Sequence, residues 1–168
     1  MTDPEPEPVH RAPMRARNRD DVPEGAGAEH GLRHGLVGIG ERLSAVPDSV
    51  SEAVAAAADQ DGEKAGRMVR RFAELPSGTL VWTREGGGGF RLGRITGPWR
   101  YDVSSDAVTV GIHHVHDARW LPRTFTEDEV PAAVAETFRR GGRNFQQTHD
   151  EDAEHRTAEL WAAHEDLA

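Results

Sequence analysis

The apolar positions of this chain change their period along its length, and those changes divide it into elements. Residues 36–40, Leu-Val-Gly-Ile-Gly, form a short apolar run broken by glycines, which predicts a buried strand whose end lets backbone approach another group closely. Over 47–58, Val50, Ala53, Val54 and Ala57 fall on one stripe. From Glu63 onward Ala65, Met68, Val69, Phe72 and Ala73 recur at helical spacing, with Arg67, Arg70, Arg71 and Glu74 on the other face. Two helices are expected, the second stopped by Pro76-Ser77-Gly78. The period then shortens to two. Residues 80–84 and 90–95 flank a loop holding Gly86 through Gly89, which predicts a hairpin. After the turn Thr96-Gly97-Pro98, residues 99–103 read as a strand, Val108, Val110 and Ile112 alternate as a further strand would, and 115–121 continue it or form the next. Thr126-Glu127-Asp128-Glu129 has the form of a capping box, with Val130, Val134 and Phe138 on one helical face before Gly141-Gly142. Residues 151–167 offer a last helix with Leu160, Trp161 and His164. Strand upon strand in the middle of the chain predicts an α+β fold: a small barrel-like sheet that closes or wraps on itself, flanked by helices.

Residues 1–31 fall outside any such pattern. Pro4, Pro6, Pro8, Pro13 and Pro23, isolated glycines and scattered charges cannot bury enough surface to offset the entropy of ordering, which predicts a disordered N-terminal tail. The expected organisation is a tail over 1–31, one folded domain over 32–145 whose informative core is 36–121, and an acidic C-terminal helix over 146–168. No apolar run approaches a membrane span, and Met1 is followed by acids and prolines where a secretory leader would be basic and then apolar. A cytoplasmic protein without a membrane partner is expected. The chain has no cysteine, which removes disulfides and thiolate chemistry.

Charge sharpens the picture of partners. The formal net charge of -9 argues against a general nucleic-acid coat, whose affinity comes from Lys and Arg neutralising phosphates. The acidity gathers in 126–168, which favours, as one alternative, an interaction or regulatory module whose Trp161 helix docks on a partner protein. Lys64 is the single lysine and the other basic residues are arginines, suited to forked or stacked contacts.

Candidate chemistry is sparse. His113, His114 and His116 invite a metal, with Asp117 as a possible oxygen ligand, but on an extended strand His113 faces away from the other two. The Gly86 to Gly89 run lacks the Lys and Ser/Thr of a nucleotide loop and lies between strands. No serine sits in a nucleophile elbow, and the acidic clusters 127–129 and 150–152 match helix starts or solvated faces. The expectation is therefore a non-enzyme with no catalytic residue, metal or cofactor. Trp82, Trp99 and Tyr101 lie close together in sequence, Trp99 and Tyr101 alternating onto one face with Arg100 on the other. Such aromatics either belong to the core or form walls that stack on a planar group such as a flipped base. Arg84, Arg91, Arg94, Arg100, Arg119 and Arg123 supply phosphate contacts around those strands.

In order along the chain, Leu36-Val37-Gly38-Ile39-Gly40, Arg70-Arg71-Phe72, Ser77-Gly78-Thr79-Leu80-Val81-Trp82, Leu92-Gly93-Arg94-Ile95-Thr96-Gly97-Pro98-Trp99-Arg100-Tyr101-Asp102 and His116-Asp117-Ala118-Arg119-Trp120-Leu121 resemble a PUA-like, EVE/YTH-related domain. That domain is found at the N-terminus of Mrr-like restriction proteins and related modification-dependent defence systems. The resemblance covers about residues 36–145, with the Gly-Arg-Ile-Thr-Gly-Pro-x-x-Tyr-Asp stretch its most specific part. It implies a barrel that takes a modified base into an aromatic-lined pocket, here in DNA. It places Gly38, Ile39 and Gly40 beside that pocket, Trp82 as a stacking wall, and Arg94, Trp99, Arg100 and Tyr101 among the base-binding and backbone-binding residues. Gly141 to Phe145 would begin a closing strand. Two departures stand out: Glu41-Arg42 occupies the place where many relatives have an aromatic, and a carboxylate there repels phosphate, which weakens binding or moves the pocket elsewhere; and no nuclease core follows. A separate nuclease or other effector protein is therefore the expected partner.

Overall fold

The structure is a computed structural model and describes residues 7–167. Seven short strands and six helices make an α+β fold in which a curled sheet is flanked by helices, the class the sequence predicts. The strands are β1 Val9–Arg11, β2 Leu36–Ile39, β3 Leu80–Arg84, β4 Phe90–Ile95, β5 Arg100–Tyr101, β6 His114–Trp120 and β7 Gln146–Thr148. The helices are α1 Ala26–His34, α2 Val50–Asp61, α3 Glu63–Ala73, α4 Ser105–Val110, α5 Ala132–Arg139 and α6 Glu151–His164. Sheet order is β2-β6-β4-β3-β1-β7, with β5 also on β6. β6 turns the sheet: its first half pairs with β2 and β5, and its second half passes to β4, where Gly93 opposes Trp120.

The hairpin β3-β4 lies at the centre, in the antiparallel register Leu80↔Arg94 to Arg84↔Phe90. Both faces of β3 are covered, so the period-two alternation separates two cores and not core from solvent. Leu80 and Trp82 join Phe90, Leu92, Phe125, Val134, Leu160 and Trp161 beneath α5 and α6. Val81, on the opposite face, joins Val37, Ile95, Ile112 and Val115 on the side of α1. A third cluster packs α2 and α3 against Ile39 and Leu43, with Trp99, Tyr101 and Phe145 along its border.

Four sequence expectations are corrected. Residues 1–6 of the expected tail lie outside the described residues, but from residue 7 onward the N-terminal segment is part of the fold. β1 lies parallel to β3 and antiparallel to β7, Val9 and Ala12 are fully buried, and Ala12 N donates to Trp82 O at 2.8 Å. A three-residue strand carries no period, and here prolines flank it and do not interrupt it. Because β7 closes on β1 and α6 fills the core beneath β3, the boundaries at 31/32 and 145/146 both cut through one packed unit. Residues 105–110 are helix and not strand: Ser104 accepts from Ala107 N, and Gly111, at φ 73, ends the turn where a Cβ would strike Ala16. Finally, Glu129 does reach back to Thr126 N at 3.1 Å, yet the helix begins beyond Pro131.

Candidate functional site

Two adjoining cavities open where β2 ends, and Arg17 lines both. The smaller, about 20 Å³, is bordered by Met14, Arg15, Gly38, Ile39, Gly40, Met68 and residues 143–145, and has room for about one water. The larger, about 210 Å³, is bordered by Asn18, Arg19, Glu41, Arg42, Asp61, Gly111 and His113, and is large enough for one planar heterocycle. Its walls come from four separate parts of the chain: the segment after β1, the exit of β2, the end of α2, and the α4-β6 junction. Among the described residues the non-glycine residues at positive φ are Met14, Asn18 and Glu41, and all three border these cavities. A glutamate held at φ 62 stores strain that its surroundings must enforce, and such strain gathers at functional sites.

The enforcing contacts run through the aromatics. Trp99 Nε1 donates to His114 Nδ1 at 3.1 Å, which leaves the imidazole proton on Nε2, and that nitrogen donates to the Glu41 carbonyl at 2.9 Å. Leu43 N donates to the Tyr101 hydroxyl at 2.8 Å. Gln60 Nε2 donates to Arg42 O, while its Oε1 accepts from Ser44 N. The loop leaving β2 is thus pinned from β5, β6 and α2. Tyr101 also stacks on His113, centroids 5.5 Å apart at 22°, and His113 Nδ1 donates to the Asp102 carbonyl.

Burial sets the protonation of the group. His114 is pushed down to about 4, by burial first and by His113 to a lesser degree, against the bond to Glu41 O. Glu41 is pushed up to about 7, by burial first and then by the Asp61 carboxyl beside it, with Arg17 opposing. His10, stacked on Phe145 on β1, is likewise pushed down to about 4 by burial and by His149. The stability profile follows from the signs. In the unfolded chain each imidazole takes a proton near 6.5, so between pH 6.5 and 4 the unfolded state binds protons the folded state refuses, and stability falls. Each histidine contributes up to roughly 3 kcal/mol to that fall. Glu41 runs the other way, since its folded value is raised: its contribution is complete below pH 4.5 and is lost as pH rises through 7. One carboxyl offsets about one imidazole. Unfolding free energies from urea melts at pH 7, 5.5 and 4 should therefore fall by a net of roughly 3 kcal/mol from the first to the last, and a value that stays level or rises would contradict the two neutral histidines.

The residues singled out from sequence are brought together only in part. Gly38, Ile39 and Gly40 do border the small cavity, and Gly38 is required for packing, since a side chain there would run into Ile112 and the His114 carbonyl. Trp99 and Tyr101 lie one layer behind the large cavity and act through His114, His113 and Leu43. Trp82 is corrected from stacking wall to core: it is fully buried, edge-on to Phe125 and bonded through Nε1 to Thr157 at 3.0 Å. Arg94 lies elsewhere, paired with Glu7 and set over the Trp161 ring, and Arg100 is held by Asp117. Of the other expected phosphate contacts, Arg91 pairs with Glu85, Arg123 with Glu129, and Arg119 bonds Glu165 O, while Arg84 bonds Gly88 O. The three histidines do not converge on a metal: His116 bonds the Gly97 and Phe72 carbonyls, and no metal-ready group of His, Asp and Glu occurs among the described residues. Sequence reasoning missed Arg17, Asn18, Asp61 and Gly111, and it took Glu41 for an obstacle.

No family model and no curated protein matches the chain. Among solved structures it is similar to the YTH domain of the Zygosaccharomyces rouxii MRB1 protein, determined in complex with N6-methyladenosine RNA. The two share 10% identity at a TM-score of 0.43, over 100% of this chain and 93% of that one. No helix among the described residues is long and apolar enough to cross a membrane.

Proposed function

We propose that this chain is a noncatalytic nucleic-acid reader that takes one base, in the first place a modified base of DNA, into the larger cavity. The observation that carries the reading is that cavity itself: a space of about 210 Å³ bordered by charged and polar side chains, with Asn18 and Glu41 at positive φ on its wall and the loop Glu41-Arg42 fixed from behind by His114 and Gln60. A rigid polar slot suits an extruded base, because the base edge then meets groups already in place. Arg17 and Arg42 at its rim and Arg143 at the smaller cavity are exposed and would meet the flanking phosphates, in place of the ion-paired arginines of the sheet. That the base is modified rests on the resemblance carried by residues 92–102. A separate nuclease or other effector would act on what the reader marks.

Fluorescently labelled single-stranded oligonucleotides, DNA and RNA, with and without a methylated central base, test the reading. Binding at low salt is expected, weakened by Arg17→Ala with Arg42→Ala. No binding to any of them would overturn it.

A second reading, an interaction module, has one observation in its favour. The groove between α2 and α3, about 480 Å³, is lined by Val54, Ala58 and Gly66 together with Arg70, Arg71 and the ion pair of Arg67 with Glu63, a net positive border that suits an acidic partner. Trp161, expected to serve such a partner, is buried in the domain's own core.

A further inference from the structure

Glu41 has a property that base binding in general does not require. Its side chain is 1% exposed, and its Oε1 has no hydrogen-bond partner among the described residues. The groups nearest it in charge are Arg17, from the segment after β1, whose Nη1 is 3.5 Å from Oε2, and Asp61, a second carboxyl at the end of α2. Arg42, Arg19 and His113 border the same cavity. When both are ionised, the two neighbouring carboxyl groups present acceptors only, and the guanidinium of Arg17 reaches Glu41 Oε2 while Oε1 stays without a partner. A buried acceptor left without a donor is destabilising, so the site is complete only when something else brings an N–H.

We propose that Glu41 is the reading group of the cavity: it accepts an N–H from the exocyclic amino group of the bound base, so that amino-bearing bases enter and keto-bearing bases are turned away. This deepens the reader function and rests on it. Adenine and cytosine each carry an amino group on the Watson–Crick edge, whereas hypoxanthine and uracil carry an oxygen at the same place. An amino hydrogen meets the Glu41 oxygen as donor to acceptor. A keto oxygen meets the ionised carboxylate as acceptor to acceptor, and because the Glu41 side chain is itself buried that repulsion is weakly screened. Asn18, with both a donor and an acceptor, stands on the same wall to satisfy the neighbouring ring nitrogen. The carboxyl, pushed up to about 7 while the cavity is empty, gains in an N–H donor the partner that holds it ionised. Arg17 is 41% exposed and holds Glu41 Oε2 and the Met68 sulfur at 3.5 and 3.6 Å, long contacts that an entering base can replace as that side chain swings into solvent.

The test uses the full chain and two pairs of oligonucleotides with identical flanks: central adenine against hypoxanthine, and central cytosine against uracil. The amino member of each pair is expected to bind on the order of tenfold more tightly. Glu41→Gln should erase the preference, because an amide rotates to offer either a donor or an acceptor. Asp61→Asn, at an exposed position where folding is not at stake, should reduce it. Thermal melts of both variants confirm that they are folded. Equal affinity within about twofold for the members of each pair in the unaltered protein, or an undiminished preference in folded Glu41→Gln, would overturn the assignment while leaving the reader function standing. Absence of binding to all four oligonucleotides would remove both.

Discussion

A chain that begins at residue 32, where periodicity first becomes legible, is expected not to fold. Its deletion removes β1 from between β3 and β7, together with Val9, Ala12 and Met14 from two of the cores. It leaves the edge of β3 unpaired, and the Thr83 hydroxyl, fully buried, loses its acceptor at Ala12 O. Most of α1 goes as well. Domains of this size are held by about 5–15 kcal/mol in total, and an unpaired central strand with an uncovered apolar face exceeds that reserve. Near-UV circular dichroism on heating should show no cooperative transition for the truncated chain. A transition at the temperature of the full chain would mean that β1 contributes nothing, and the sheet order would have to be reconsidered.

Replacing Trp82 by alanine should cost about 3–5 kcal/mol, the range for emptying a buried aromatic site. The indole is fully buried beneath α6, and its loss also leaves the Thr157 hydroxyl without its partner. For a domain of this length, Tm should fall by roughly 6–20 °C. Trp82→Phe, which keeps most of the volume and loses one hydrogen bond, should cost about 1–2 kcal/mol. The important comparison is with binding. At a temperature where Trp82→Ala is still folded, its affinity for oligonucleotides should equal that of the unaltered chain, because the cavity lies on the other side of the sheet from this residue's cluster. A variant with normal stability and lost affinity would return Trp82 to the role of stacking wall.

β1 and Trp82 also show how far the sequence could be read. The central hairpin and the α2-α3 pair were legible because each repeats its period over enough residues to exclude the alternative. The alternation in 80–84 correctly put Leu80 and Trp82 on one face. It could not say that the opposite face was buried too, and so left Trp82 open to two roles. β1 was hidden by its length. Residues 108–112 misled because Val108, Val110 and Ile112 alternate as a strand would, while Val108 and Val110 belong to a helix defined by its ends, Ser104 and Gly111, and Ile112 follows it. The site was the least legible part. Glu41 looked like a charge misplaced at a phosphate-binding surface, since nothing local shows that it is buried, that burial pushes it up to about 7, or that the backbone turns left-handed there. Its neighbours Arg17, Asp61 and His113 are distant in the chain and are gathered only by the sheet. The glycines at 38 and 40 were the surviving clue, and they pointed to the correct strand end.

The position of β1 also bears on how the molecule is made. β1 takes its place between β3 and β7, both of which follow it at long distance in the sequence. Its parallel pairing with β3 spans some of the longest loops the fold contains, and such contacts are slow to form. Until β3 has been made, Val9 and its neighbours have no strand to pair with, and until β7 follows, the outer edge of β1 stays available to other chains. This architecture therefore completes its sheet only once β7 has emerged, and a nascent chain stalled before residue 146 would carry the open edge of β1 that favours aggregation.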